Sequence, residues 1–259
     1  METSYLPIEW PQLALSALFL AAAALLSAFY RLGLHKDLLV GGVRCFAQLL
    51  VMGYVLHLVF NLQSALLVIV FLLFMGFFAA RIAGQRVVEK SVPFFWPTFF
   101  AIQVTFFSVA VLVTKCIIGA TPWWTPQYII PIGGMLAGNA MNTIALALDR
   151  FFADLRLKRD EVELRLLIGA TPAEACADVF KDALRAGMIP AINSLMGVGL
   201  VSLPGMMTGQ ILAGAAPQEA VRYQVVVMLM LVATTALVSF LALLQIRRRC
   251  FGQAMQLKI

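Results

Sequence analysis

Long apolar runs separated by short polar clusters dominate the chain. They cover residues 13–29, 38–60, 65–80, 94–114, 129–148, 186–201 and 223–246. Each approaches or exceeds the roughly 20 residues a helix needs to cross about 30 Å of hydrocarbon. The pattern predicts an all-α integral membrane protein with about seven transmembrane helices, forming one polytopic domain over residues 1–259. The sixth run is short. It meets Pro204-Gly205 and continues as an apolar, glycine-punctuated stretch to Gly214.

Composition narrows this further. With 62% apolar and 12% charged residues, against about a quarter charged in soluble domains, the chain is no water-soluble globule. Short loops rich in Lys and Arg stay cytoplasmic, and alternate loops here hold 16 basic residues on one side against 2 on the other, with Arg44 inside a run. That split predicts an odd number of spans, an outside N-terminus and a cytoplasmic C-terminus, as in a multi-pass protein of the bacterial plasma (inner) membrane. It also accounts for the net charge of +6 without a nucleic-acid partner. Trp10, Trp96, Trp123 and Trp124 fall near expected helix ends, where interfacial aromatics belong. No basic residue precedes the first run, so that run reads as a retained helix rather than a signal peptide.

All thirteen acidic residues, from Glu2 to Glu219, lie outside the runs. Ion-coupled pumps keep costly ionisable relays within the bilayer; with no carboxylate and one lone histidine, His57 near the outer end of the second run, this interior does not suit one. No G-x-x-x-x-G-K-[ST] phosphate loop occurs either. If the protein pumps, another chain supplies the energy, and ATP and magnesium belong to that partner. Cys45, Cys116, Cys176 and Cys250 show no CxxC spacing, which argues against a disulfide framework or zinc site. An intramembrane enzyme or a membrane sensor would belong to another class. The sequence offers it no carboxylate pair, no nucleophile beside a base and no ligand cluster, so a non-catalytic chain is expected.

A few polar positions inside or beside the runs are candidates for a translocation path. Arg44 has Gln48 one turn along the same face; it reads either as a snorkelling arginine or as a gate or anion contact. In the fifth run Gly134 and Gly138 form a GxxxG that permits close helix approach. Met135, Asn139 and Asn142 share a neighbouring face, as interhelical glue or as the polar lining of a path. After the sixth run, Pro204-Gly205 breaks the helix and frees backbone carbonyls, which at membrane depth need protein or water around them. Ser202, Met206, Met207, Thr208 and Gln210 are therefore candidates for a gate or binding element. The methionines suit a soft metal but equally suit packing, and no metal site is assigned.

Residues 149–185 form the one sizeable polar stretch. Gly169-Ala170 ends a charged helix through Glu161, Glu163 and Arg165. Thr171-Pro172-Ala173-Glu174 then has the form of a capped helix start, with Thr171 as cap, Pro172 at the first helical position and Glu174 closing a capping box. Downstream, Cys176, Val179, Phe180, Ala183, Leu184 and Gly187 repeat at three and four residues, marking one apolar face. The segment predicts a cytoplasmic helix-turn-helix, either a plain connector or a grip for a partner.

The runs PIGGMLAGNAMN (131–142), LIGATPAEA (167–175) and GLVSLPGMMTGQILAG (199–214) resemble, in order and spacing, the iron-export permease family of bacterial ABC transporters (the FetB type), related to a plant membrane protein of aluminium tolerance. The resemblance implies a permease subunit that pairs with a separate ATP-binding subunit, with two copies of each, and exports iron or an iron-containing small molecule. It also implies that Glu163, Gly169, Ala170, Thr171, Pro172 and Glu174 couple to the ATPase. Glu163 to Gly169 matches the interval of the Glu-Ala-Ala…Gly loop of importer permeases, although Leu164-Arg165 replace the two alanines. The plant relatives are linked instead to nucleotide-sugar transport, which leaves an organic cargo as the alternative.

Overall fold

The computed structural model describes residues 8–87, 89, 92–252 and 256–258; Glu2 and Lys90, counted in the charge pattern, lie outside them. Apart from two isolated β-bridges, every regular element among the described residues is helical. Six helices among the described residues are long and apolar enough to cross a membrane. The protein is therefore a multi-pass, all-α membrane protein. It divides into two compact units, Met1–Gln63 with Leu212–Gly214, and Ser64–Ile211 with Ala215–Ile259.

The first unit contains a hairpin of α1 (Trp10–Phe29) and α2 (His35–Leu62). Its turn is closed by buried Ser27, whose hydroxyl accepts the Leu34 N–H at 3.1 Å. Gly42 allows the two helices to meet, because a Cβ there would stand 2.1 Å from Leu20 Cδ2. Most side chains of both helices are exposed, as expected for surfaces solvated by lipid.

The second unit is built around α5 (Pro126–Leu157), which touches α3 (Ala65–Arg86), α4 (Phe95–Val111), α8 (Ala177–Gly197) and α10 (Pro217–Arg249). A π-helical segment, Leu112–Ile117, continues α4. Leu72, Ile102, Phe106, Ile129, Leu136, Ile144, Phe151 and Leu243 form a fully buried core. Among the glycines of the fifth run, Gly133 makes the close approach. A Cβ on Gly133 would meet Phe106 Cζ at 2.7 Å, whereas Gly138 has nothing within 4 Å and Gly134 only Met75 Cε at 3.4 Å. On α5 the tight contact is thus at Gly133 rather than at the GxxxG read from the sequence.

Helices α3, α5 and α10 run well past their apolar cores. At 1.5 Å per residue the 32 residues of α5 extend about 48 Å, so its last turns project beyond the hydrocarbon. There two carboxylates placed by the sequence reading in polar loops prove to be buried. Asp154 accepts Arg150 Nε at 2.7 Å, and Glu89 pairs with Arg156. The expected sixth span, residues 186–201, is the second half of α8 and its exit turn. That helix starts among Asp178, Lys181, Asp182 and Arg185, and it is not among the six that combine length with apolarity.

Candidate functional site

The polar segment folds as its punctuation predicts. Helix α6 (Arg159–Leu167) ends at Gly169, whose φ of +96° turns the chain where a side chain would be strained. Four residues, Pro172–Ala175, form the short helix α7. Both halves of its capping box are present: Thr171 Oγ1 accepts the Glu174 N–H at 3.3 Å, and Glu174 Oε2 accepts the Thr171 N–H at 2.8 Å. A further hydrogen bond from the Thr171 hydroxyl, at 2.7 Å, holds the Glu174 carboxyl below its usual range. At Cys176 the chain bends into α8, with Val179, Ala183 and Gly187 buried and Phe180 and Leu184 half-buried along the face the spacing marked.

Arg165 ties this turn to α8. It donates to Glu161 at 2.6 Å within α6 and to Asp178 at 3.1 Å at the start of α8. The Asp178 bond first, and the charges of both carboxylates, raise its pKa above the ordinary arginine value. Glu163, by contrast, only accepts Arg159 Nε at 2.8 Å along its own helix. What the sequence reading passed over is the apolar crown of the turn. Leu164, Leu167 and Ile168 are 59%, 84% and 77% exposed, at the polar end of the molecule and outside every candidate span. Their signal was present as an apolar triplet, Leu166-Leu167-Ile168, just before the glycine.

Behind the turn, Cys176 and Cys250 are buried. Burial raises both thiols, Cys250 to about 12. Beside them Arg247 lies over the Phe180 ring at 5.0 Å, joining α10 to α8.

At its other end α8 stops at Gly197. Val198 and Ser202 form a parallel bridge, the Ser202 carbonyl accepts the Gly199 N–H at 2.9 Å, and Gly199 sits at φ +84°. The chain resumes at Pro204 into α9 (Gly205–Leu212). This break opens on a cavity of about 260 Å³ between α5, α8 and α10. Its polar lining is Asn139, Ser194 and Ser202; Ala191, Val198, Pro204, Met228, Leu231 and Val232 supply the rest. Asn139 Nδ2 donates to Thr235 Oγ1 at 2.7 Å and to the Leu231 carbonyl at 3.2 Å, so it fastens α5 to α10 and also faces the cavity.

Of the path candidates, the cavity brings together Asn139 and Ser202. Asn142 instead accepts Arg86 at 3.4 Å, and Met135 is half-buried away from the lining. Met206 and Met207 are half-buried on α9, Thr208 bonds back to the Pro204 carbonyl at 3.2 Å, and the Gln210 side-chain oxygen is buried without a partner among the described residues. Arg44 and Gln48 are exposed on α2 in the other unit. Ser194, Met228 and Val232 were missed. Their only sequence signal is the three- and four-residue spacing of residues 191, 194 and 198 and of 228, 231 and 232, which any helix face shares. No group of three or more His, Cys, Asp or Glu able to hold a metal occurs among the described residues.

Comparison with known proteins agrees with this architecture. The chain matches the Uncharacterised protein family UPF0014 over residues 10–251. It is 36% identical to a UPF0014 membrane protein of Synechocystis sp., over the full length of both. It is 35% identical to the Probable iron export permease protein FetB of Escherichia coli, covering 95% of this chain and 94% of that protein. With Protein ALUMINUM SENSITIVE 3 of Arabidopsis thaliana it shares 37% identity, over 81% of this chain and 76% of that one. No solved structure matches it.

Proposed function

The chain belongs to the UPF0014 membrane-protein family, and from that premise we propose that it is the permease subunit of an ABC transporter, exporting iron or an iron-containing small molecule on energy from a separate ATP-binding subunit. The observation that carries the reading is the exposed apolar crown Leu164, Leu167 and Ile168 on a glycine-hinged, capped turn. An apolar cluster held in water by a rigid polar frame marks a protein interface. The 16 to 2 distribution of basic residues supports a cytoplasmic position for it, where ATP is available. The missing phosphate loop, the similarity to a protein named a probable iron export permease and the similarity to other UPF0014 membrane proteins all fit a chain that conducts but does not hydrolyse.

The geometry supplies a transmission. Arg165 makes the turn and the start of α8 move together. The 21 residues of α8 form a rod of about 32 Å. It crosses α5 and α10 at Gly187, where a Cβ would stand 3.1 Å from Ala147 Cβ and 3.2 Å from Ser239 Oγ. Its far end carries Ala191, Ser194 and Val198 into the cavity wall. A partner that pulls on Leu167 and Ile168 therefore moves the cavity lining through a packed helix, in the manner of a shear movement. In the functional assembly two permease copies and two ATPases give each turn its own motor.

The lining offers amide, hydroxyl and thioether groups and no carboxylate. Iron prefers charged oxygen and nitrogen ligands, so iron crosses as a neutral or chelated species. A second reading keeps the permease and changes the cargo to an organic or nucleotide-sugar ligand, whose phosphates would be read by Arg44 of α2 rather than by this uncharged lining. Inverted vesicles containing this chain and its ATPase separate the two. ATP-dependent uptake of labelled iron supports the first. Uptake of a labelled nucleotide sugar with no iron movement replaces it by the second, and no ATP-dependent uptake of either cargo, with no stimulation of ATP hydrolysis, overturns the permease reading.

A further inference from the structure

The end of α10 carries a second cavity, of about 440 Å³, lined by Arg248, Arg249, Lys258, Val92, Pro93 and Phe251. Among the described residues, three cations and no acid line it. They are brought together by design of the backbone rather than by adjacency. Residues 250–252 pair with 256–258 as a small antiparallel hairpin: Phe251 bridges Leu257, the Gly252 N–H donates to the Gln256 carbonyl at 2.8 Å, and the Lys258 N–H donates to the Cys250 carbonyl at 2.9 Å. The fold-back returns Lys258 to the two arginines nine and ten residues before it. Phe251 and Leu257 are buried and anchor the hairpin. Arg249 Nη1 donates to the Pro93 carbonyl at 2.9 Å, which fixes one wall against the loop before α4.

We propose that this cavity binds the phosphate headgroup of an anionic phospholipid. Height and lining argue for lipid over a soluble phosphate. The apolar run of α10 ends at Ile246, two residues before Arg248, so at this end of the helix the cavity lies at headgroup level. Val92, Pro93 and Phe251 give an apolar wall beside the cations, which suits a ligand that joins a phosphate to a glycerol and acyl chains. Basic pockets at helix ends recognise anionic headgroups in this way, each Lys or Arg contributing about fivefold in affinity. The assignment is independent of the transported cargo and of the ATPase partner.

Native mass spectrometry of the delipidated full chain tests it, with phosphatidylglycerol and phosphatidylcholine at matched concentrations. The wild type is expected to retain phosphatidylglycerol selectively. The R248Q/R249Q variant is expected to lose about thirtyfold in that affinity and K258Q about fivefold. R248K/R249K, which keeps the charge, retains the preference and controls for folding, as does R222Q, an exposed position near the opposite end of α10. Equal retention of the two lipids by wild type, or an unchanged preference in R248Q/R249Q, overturns the proposal. So does displacement of phosphatidylglycerol by millimolar inorganic phosphate with no remaining lipid selectivity, because the site would then belong to a free anion.

Discussion

Replacing Asn139 by alanine tests whether one residue serves both packing and path. Its Nδ2 bonds Thr235 Oγ1 and the Leu231 carbonyl on α10. The Thr235 hydroxyl separately donates to that same carbonyl at 2.9 Å, so Asn139→Ala strands no buried donor. The loss is two interhelical hydrogen bonds. Such bonds in membrane proteins average about 0.6 kcal/mol and reach about 1.7 kcal/mol, so the variant should lose about 1–2 kcal/mol. Thr235→Val keeps the shape and removes the acceptor together with the hydroxyl's own bond to the Leu231 carbonyl, and the double variant should show a coupling of about 0.6 kcal/mol. Reversible unfolding of the four proteins in mixed micelles measures it. Transport by the same proteins in inverted vesicles gives the second readout. Thr235→Val, which does not line the cavity, should transport normally per folded molecule, whereas Asn139→Ala should fall severalfold. A coupling indistinguishable from zero refutes the hydrogen bond. Equal transport by both single variants refutes the lining role.

Four other expectations follow from the same structure. Gly169→Ala forces a side chain to φ +96°, a local cost of about 1–2 kcal/mol, and should cut stimulation of the partner ATPase severalfold while leaving the thermal midpoint of the chain nearly unchanged; unaltered stimulation would remove the turn from the docking surface. The Glu174 carboxyl is held below the ordinary glutamate value by Thr171, so its contribution to the turn is complete above that value and disappears as pH falls through the depressed one; hydrogen exchange at 171–178, corrected for intrinsic rates, should loosen in acid for wild type, and Glu174→Gln should lack that dependence. Buried Cys176 and Cys250, the latter with its thiol near 12, should resist maleimide at pH 7.5, while exposed Cys116 reacts from outside intact cells; labelling of Cys116 only in inverted vesicles would reverse the proposed orientation. Gly133→Ala should cost about 1–3 kcal/mol, because buried Phe106 stands 2.7 Å from the new Cβ, whereas Gly138→Ala should be near neutral in the same unfolding assay.

Local residue patterns were enough for the six long apolar helices and for the turn, but not for the expected sixth span, which is the second half of α8. Apolar runs of membrane length cannot fold otherwise in lipid, because every backbone group must be satisfied within its own segment. Gly169 and the Thr171 to Glu174 box act over three or four residues, so their geometry was legible before any packing was known, and the structure bears it out. What lay beyond local rules was which faces meet. Gly133 and Gly134 are equivalent as letters, and only the position of Phe106 makes one the close contact. Asn139 and Asn142 share a face and an amide, yet one bonds α10 and the other Arg86. The buried carboxylates Glu89 and Asp154 looked like solvated loop charges, and the cavity joins residues from α5, α8 and α10 that are up to 93 positions apart. Lateral packing between helices in lipid is carried by shape and by a few hydrogen bonds rather than by hydrophobic burial. A hydropathy pattern therefore records which segments enter the bilayer, and only the tertiary structure decides which of their polar atoms come to face one another.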